Sequence, residues 1–307
     1  MVVGVLKESL PENRVSVLPE HIAALKKMKL DVWVEKDAGA RAFASDPHYE
    51  NAGATLAERQ EVFTGSDLIL SINHLAEGDA EKIRSKVLVG VFQPLYHYPL
   101  IQILAQQQIS VFSIDMIPRT TRAQGMDVLS SQANIAGYKA VLLAANLFPR
   151  YFPMFMTAAG NIPPAKVLIL GAGVAGLQAI ATARRLGAVV EVFDTRPAVK
   201  EEVQSLGARF IEVEGAADAA QAGGYAVVQS EEFQQKQKSR IAESVSKSDV
   251  VITTAQIPGK KAPILVTEEM IGTMKEGSVI VDLAAQTGGN TELTRNQETV
   301  HYKGVTL

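Results

Sequence analysis

The 307-residue sequence predicts an α/β protein of two doubly wound, Rossmann-like domains with mainly parallel sheets, linked by a long helix, with a ligand cleft between them. Three observations lead there. Short β-rich runs alternate with helical patterns in both halves, the arrangement that produces parallel sheets. A long helical pattern, Asp127 to Leu147, lies between the two series. The second series also contains a strand, a glycine-rich turn and a helix in direct succession, Lys166 to Leu177.

In the first half, Val2–Leu6, Asp31–Glu35, Asp67–Ile72, Val87–Phe92 and Ile109–Ile114 read as strands. Pro19–Met28, Thr55–Val62 and Tyr98–Gln107 carry helical spacing, and Pro19 suits a first helical turn because its missing N–H is unpaired there anyway. In the second half the strands are Val167–Leu170, Val189–Phe193, Arg209–Val213, Asp249–Thr254 and Ser278–Leu283, with a last strand in Val300–Leu307. The boundary falls near residue 130, giving an N-terminal α/β domain of residues 1–129 and a nucleotide-binding domain of residues 130–307. Ligands of such folds sit at domain interfaces and at the carboxyl ends of parallel strands. Glu214 to Glu232 fits no element: it is rich in Ala and Gly, with Tyr225 beside Gly223-Gly224. A run of this length reads either as a lid hinged at the glycines or as a loose surface insertion.

Bulk composition narrows the function. The apolar fraction of 47% and charged fraction of 21% belong to an ordinary globular chain. A net charge of −3 offers no basic face for nucleic acid. There is no cysteine, which excludes disulfides, thiolate catalysis and cysteine-ligated metal, and the five histidines show no ligand spacing, so no metal site is expected. The N-terminus lacks a basic segment followed by an apolar core, so no signal peptide is expected. Ala140 to Phe148 is the best apolar run and is too short to span a bilayer.

Gly171, Gly173 and Gly176 stand at G-x-G-x-x-G spacing after the strand ending at Leu170, and Asp194 follows about twenty residues later at the end of the next strand. Each residue has a task. Gly171 permits the tight turn, Gly173 lets backbone approach a pyrophosphate, and Gly176 lets the helix pack against the strand. Val174 and Ala175 open that helix and present N–H groups to phosphate. Asp194 would accept hydrogen bonds from an adenosine ribose and disfavour a 2′-phosphate, so the expected cofactor is NAD(H). Glycines that merely tighten a βα turn are the plainer reading. A second polar stretch runs from Pro118 to Tyr138. Arg119, Gln124, Asp127 and Ser130 are polar where packing would call for apolar residues, and Asp127 and Ser130 share a face of the first helical turn. Helix capping by Asp127 or Ser130 and a role in the cleft stand level on these grounds.

Several blocks together resemble one family. Arg119-x-x-Arg-Ala-Gln-x-Met-Asp-x-Leu-Ser-Ser-Gln-Ala-Asn-Ile-Ala-Gly-Tyr138, Thr157-Ala-Ala-Gly160, Gly171-Ala-Gly-Val-Ala-Gly-Leu177, Phe193-Asp-Thr-Arg-Pro197 and Val279-Ile-Val-Asp-Leu-Ala-Ala-Gln286 resemble the NAD(H)-binding component of proton-translocating nicotinamide nucleotide transhydrogenase. The likeness runs from Lys7-Glu8 and Arg14 to Gly289-Asn290. It implies a homodimer outside the membrane, on the cytoplasmic side in bacteria, peripheral to the inner membrane through its partners. Hydride would pass between NAD(H) here and NADP(H) on a partner component, while a membrane component moves protons. It further implies that Arg119, Asp127 and Ser130 hold the nicotinamide end. Gln124 would contact the nicotinamide ribose and position the ring, and Tyr225 would close on NAD. Asp194, Thr195, Arg196, Thr254 and Ala255 fall at cofactor-binding positions of the second domain. No general acid or base is required, so catalysis rests on proximity and orientation. Members of the family continue past residues 300–307 with a loop and a helix that returns to the first domain, and that return helix is not in this sequence.

Alanine dehydrogenase shares the fold and the Arg14 region and is the competing resemblance. Amino-acid oxidation needs proton handling, supplied in that family by a histidine and a lysine of the first domain. The aligned positions here read Gln93 and Ser71 or Asn73, and His97 falls four residues beyond, at the start of a helix, where a surface or capping role is expected. An NAD-binding module without hydride transfer is a third reading; the Arg119–Ser130 block argues against it, because binding adenosine alone would not require those residues.

Overall fold

Parallel sheets covered on both faces demand strands that are apolar throughout rather than alternating, and the central runs of this chain have that character. The computed structural model describes residues 1–75, 78–213 and 231–307. Its contacts divide into two units, Met1–Val128 and Leu129–Leu307.

In the first unit, β1 (Val2–Val5), β2 (Asp31–Glu35), β3 (Thr55–Ala57), β4 (Leu68–Leu70), β5 (Val87–Gly90) and β6 (Ser110–Ser113) form one sheet in the order β3-β2-β1-β4-β5-β6. Every pairing is parallel. The order reverses between β1 and β4, so this is a doubly wound sheet with its switch point there. Helices α1 (Pro19–Lys27) and α2 (Asp46–Asn51) cover one face, where Ile22 and Tyr49 pack on Val5, Val32 and Val34. On the other face α3 (Arg59–Gly65) and α4 (Tyr98–Gln106) bring Val62, Phe63 and Leu104 against Ile69 and Leu88.

The helix expected at Thr55–Val62 is corrected. Thr55-Leu-Ala57 is the edge strand β3, in register with Trp33–Glu35 of β2. The helix begins only at Arg59, where the Glu61 carboxylate accepts from the Glu58 N–H at 2.7 Å and fixes the start. Apolar residues too few to show a period let edge pairing decide.

The second unit opens with α5 (Val128–Leu147), a hairpin β7 (Phe155–Thr157) and β8 (Gly160–Ile162), and then the main sheet. Its strands are β9 (Lys166–Leu170), β10 (Val189–Phe193), β11 (Arg209–Phe210), β12 (Val250–Thr253), β13 (Val279–Asp282), β14 (His301–Tyr302) and β15 (Val305–Thr306), ordered β11-β10-β9-β12-β13-β15-β14. All pair in parallel except β14 with β15. Here the order reverses between β9 and β12. One face carries α5, α6 (Val174–Arg185) and α7 (Lys200–Ser205) through Val141, Ala144, Ala179, Ile180 and Val203. The other carries α8 (Glu231–Lys247) and α9 (Glu268–Ile271) through Ile241, Val245, Met270 and Ile271. The final strand expected in Val300–Leu307 is corrected to the hairpin β14–β15. Lys303 and Gly304 both have positive φ, 46° and 75°, which is the backbone of a tight two-residue hairpin turn. No helix of the described residues is long and apolar enough to cross a membrane.

Candidate functional site

At the carboxyl edge of the second sheet, beside the reversal between β9 and β12, the chain turns from β9 into α6 through Gly171-Ala172-Gly173. Gly171 has φ +109°, and a Cβ there would strike the Thr254 hydroxyl. Gly176 faces the Gly171 carbonyl so closely that a Cβ would overlap it. Gly173 differs from both: its φ is −77°, and a Cβ would meet nothing within 4 Å. Neither conformation nor packing explains a glycine at that position. What it leaves is open space at the start of α6, whose first N–H groups have no side-chain cap at Gly173. Val174 beside it is 38% exposed. Unpaired N–H groups, the positive end of a twelve-residue helix and a missing Cβ together fit an anionic diphosphate.

Asp194, directly after β10, ties the turn to the neighbouring strand. Its Oδ2 accepts the Ala172 N–H at 2.7 Å, and Gly171 N–H donates to the Phe193 carbonyl at 2.8 Å. The carboxylate also accepts two bonds from the Arg196 guanidinium, at 2.8 and 2.9 Å, and this ion pair holds Arg196 protonated to still higher pH than an ordinary arginine. Thr195 is a half-buried bend between them. After β12, Thr254 donates its hydroxyl to the Gly171 carbonyl at 3.1 Å and its N–H to the Leu170 carbonyl at 2.9 Å. The structure thus brings Gly171, Gly173, Gly176, Asp194, Arg196, Thr254 and Ala255 to one edge of one sheet.

Asn290 was not anticipated as part of that edge. It is fully buried and clips the Ala255 peptide from both sides: its Oδ1 accepts the Ala255 N–H at 3.0 Å, and its Nδ2 donates to the Ala255 carbonyl at 2.9 Å and to the Pro263 carbonyl at 2.8 Å. Asp282 at the end of β13 accepts the Asn290 N–H at 2.6 Å. The acid-ended strand followed by Gly288-Gly289-Asn290 was the available signal.

The other expected residues lie elsewhere. Arg119 is exposed between short helical turns of the first unit, and Gln124 is exposed in the 3-10 stretch Thr121–Met126. Asp127 stands immediately before α5, the capping position, and accordingly does not belong to the helix itself; Ser130 is in the first turn of α5, the second unit. Small residues seat α5 on α6: a Cβ at Gly137 would overlap the Ala175 carbonyl. Tyr225 lies outside the described residues.

At the first unit's own switch point, polar side chains satisfy one another. The buried Glu8 carboxylate accepts from the Asn73 N–H at 3.2 Å and the Ser71 hydroxyl at 3.2 Å. Glu12 chelates Arg14, Nε at 2.8 Å and Nη2 at 2.6 Å, and that hydrogen bond draws its carboxyl down to about 2. Gln93 adopts φ 45° and supplies no titratable group. His97 occupies the position before α4 without a capping bond, which corrects the capping expectation. Its ring instead meets His74 at 5.4 Å and Tyr96 at 5.3 Å, and burial, with His74 beside it, lowers its pKa.

Comparison with known proteins agrees across the chain. Residues 4–136 match the family model "Alanine dehydrogenase/PNT, N-terminal domain" and residues 140–307 match "Alanine dehydrogenase/PNT, C-terminal domain". The chain is 44% identical to an NAD(P) transhydrogenase subunit alpha chain of Rhodospirillum rubrum, over 100% of this chain and 83% of that one. It is 45% identical to the NAD(P) transhydrogenase subunit alpha of Haemophilus influenzae over 96% of this chain, but spans only 58% of that longer relative. A crystal structure of transhydrogenase from Sinorhizobium meliloti superposes with a TM-score of 0.87 at 43% identity, covering 100% of this chain and 85% of that one.

Proposed function

This chain belongs to the alanine dehydrogenase/PNT family, and on that premise we propose that it is the NAD(H)-binding component of a proton-translocating transhydrogenase. Residues 1–129 are its N-terminal domain and residues 130–307 its nucleotide domain. The observation that carries the reading is the open space at Gly173, a glycine that the protein's own packing and backbone do not require. The turn from Gly171 to Gly176 and the first N–H groups of α6 hold the pyrophosphate. Asp194 and Arg196 meet the adenosine ribose, and Thr254 and Ala255 border the same edge.

Arg119, Asp127 and Ser130 hold the nicotinamide end, Gln124 orients the ring, and Tyr225 closes the site. When bound, the nicotinamide ring supplies the hydride itself. The chain's residues therefore serve to orient it towards NADP(H) on a partner component and need not exchange a proton. The working form is a homodimer at the cytoplasmic face of the membrane, held there by a membrane component that moves protons.

The alternative, amino-acid oxidation, requires a proton-handling group in the first unit. Ser71 and Asn73 are there engaged with Glu8, and Gln93 cannot titrate. The test is reduction of an NADP analogue by NADH with the purified NADP-binding component of a transhydrogenase present and then omitted, beside NAD with L-alanine. Reduction only with the partner is the expected result. NAD reduction by L-alanine with no partner would assign the dehydrogenase instead.

A further inference from the structure

The Asp194 carboxylate is saturated by its own chain. A carboxylate offers about four lone-pair positions. Backbone donors take one on each oxygen: the Ala172 N–H on Oδ2 at 2.7 Å and the Arg196 N–H on Oδ1 at 2.8 Å. The Arg196 side chain takes the other two, Nε on Oδ1 at 2.9 Å and Nη2 on Oδ2 at 2.8 Å. Asp194 and Arg196 side chains are 7% and 19% exposed, so water competes weakly for either.

We infer that Arg196 is the specificity-determining residue of this nucleotide edge: its guanidinium holds the two carboxylate positions an adenosine ribose diol would take, and once displaced it lies beside the 2′ position and accommodates a 2′-phosphate. This rests on reading the second unit as a dinucleotide site. A vicinal diol has two O–H donors, and the guanidinium contributes two N–H donors, one to each oxygen. Exchange of one set for the other leaves the two backbone bonds untouched, so Asp194 keeps its place. The Arg196 N–H bond to Oδ1 keeps the residue's backbone against the carboxylate, so the displaced cation stays within a side chain's reach of the ribose. An acid standing alone repels a 2′-phosphate, whereas an arginine at this place pairs with it. Dinucleotide selectivity at this edge is therefore weaker than Asp194 by itself would impose. A guanidinium that served only to brace the end of β10 would affect both nucleotides alike.

The experiment is a fluorescence titration of NADH and of NADPH on the 307-residue protein and on its Arg196→Ala and Arg196→Lys variants. The expected results are measurable NADPH binding to the unaltered protein and, in Arg196→Ala, a rise in the NADPH-to-NADH Kd ratio of about tenfold or more, the scale of a lost charged hydrogen-bond partner. Arg196→Lys, which keeps the charge, should stay within about threefold of the unaltered ratio. Because the ratio compares two ligands on one preparation, a general loss of folded protein does not move it. An unchanged or lower ratio in Arg196→Ala, or no NADPH binding by the unaltered protein while NADH binds, overturns the inference. Failure of NADH itself to bind the unaltered protein overturns the dinucleotide reading beneath it, and the two failures are thereby told apart.

Discussion

Replacing Gly173 by Ala separates a ligand cradle from a structural turn. The added methyl enters open space, and the φ of −77° is ordinary for alanine. Two small effects then oppose each other. Alanine restricts the unfolded chain, which stabilises by about 0.4–1 kcal/mol. At a helix N-cap alanine is poorer than glycine by about 0.5–1 kcal/mol. The net change in stability should lie within about 1 kcal/mol, read from urea unfolding. Binding should respond differently, because a Cβ at Gly173 would stand where phosphate must approach the N–H groups of α6. The expected loss of NADH affinity is about tenfold or greater, about 1.4 kcal/mol or more, measured by calorimetric titration. Gly176→Ala provides the contrast. Its methyl would overlap the Gly171 carbonyl, so it should destabilise the fold by about 1–3 kcal/mol through overpacking. Undiminished NADH affinity in Gly173→Ala would refute the cradle, and a stability loss as large as that of Gly176→Ala would show a packing role the geometry does not contain.

Other residues yield sharp expectations. Asn290→Ala leaves the Ala255 N–H and carbonyl and the Pro263 carbonyl without their partner, so it should destabilise the protein by about 2–4 kcal/mol in urea unfolding; a loss under half of the lower figure would mean that water replaces the clip. Glu12 is drawn down from 4.5 to about 2, so its pairing with Arg14 stabilises the fold above the ordinary value and is lost as pH falls through about 2. Because the pair is partly solvated, the contribution should be about 1 kcal/mol. Glu12→Gln should flatten the stability profile between those two pH values, and an identical slope in both proteins would count against the pairing. Gln124→Asn should slow hydride transfer far more than it weakens NADH binding; equal losses would remove its positioning role.

The sheets were readable because parallel pairing leaves a plain mark, apolar runs such as Val250-Val-Ile252 buried on both faces. Edges were harder. Thr55–Ala57 and His301–Tyr302 are too short to show a period, and their pairing with β2 and β15 is fixed by partners distant in sequence or by a turn at Lys303-Gly304. The glycine turn was legible because each glycine answers a local demand at fixed spacing. Its supports were not. Asn290 reaches Ala255 across 35 residues, and nothing local announces that bond. Arg196 was visible within its motif, yet only the geometry shows it filling half of the Asp194 carboxylate.

Direct passage of hydride from one nicotinamide to another is the central claim, and isotope tracing tests it most directly. NADH deuterated at the nicotinamide C4 position would be mixed with this protein, the partner component and oxidised NADP, and the reduced NADP analysed by mass spectrometry. The account predicts deuterium in the reduced NADP with none released to water. Reduced NADP formed without the label, or deuterium recovered in the solvent, would contradict it.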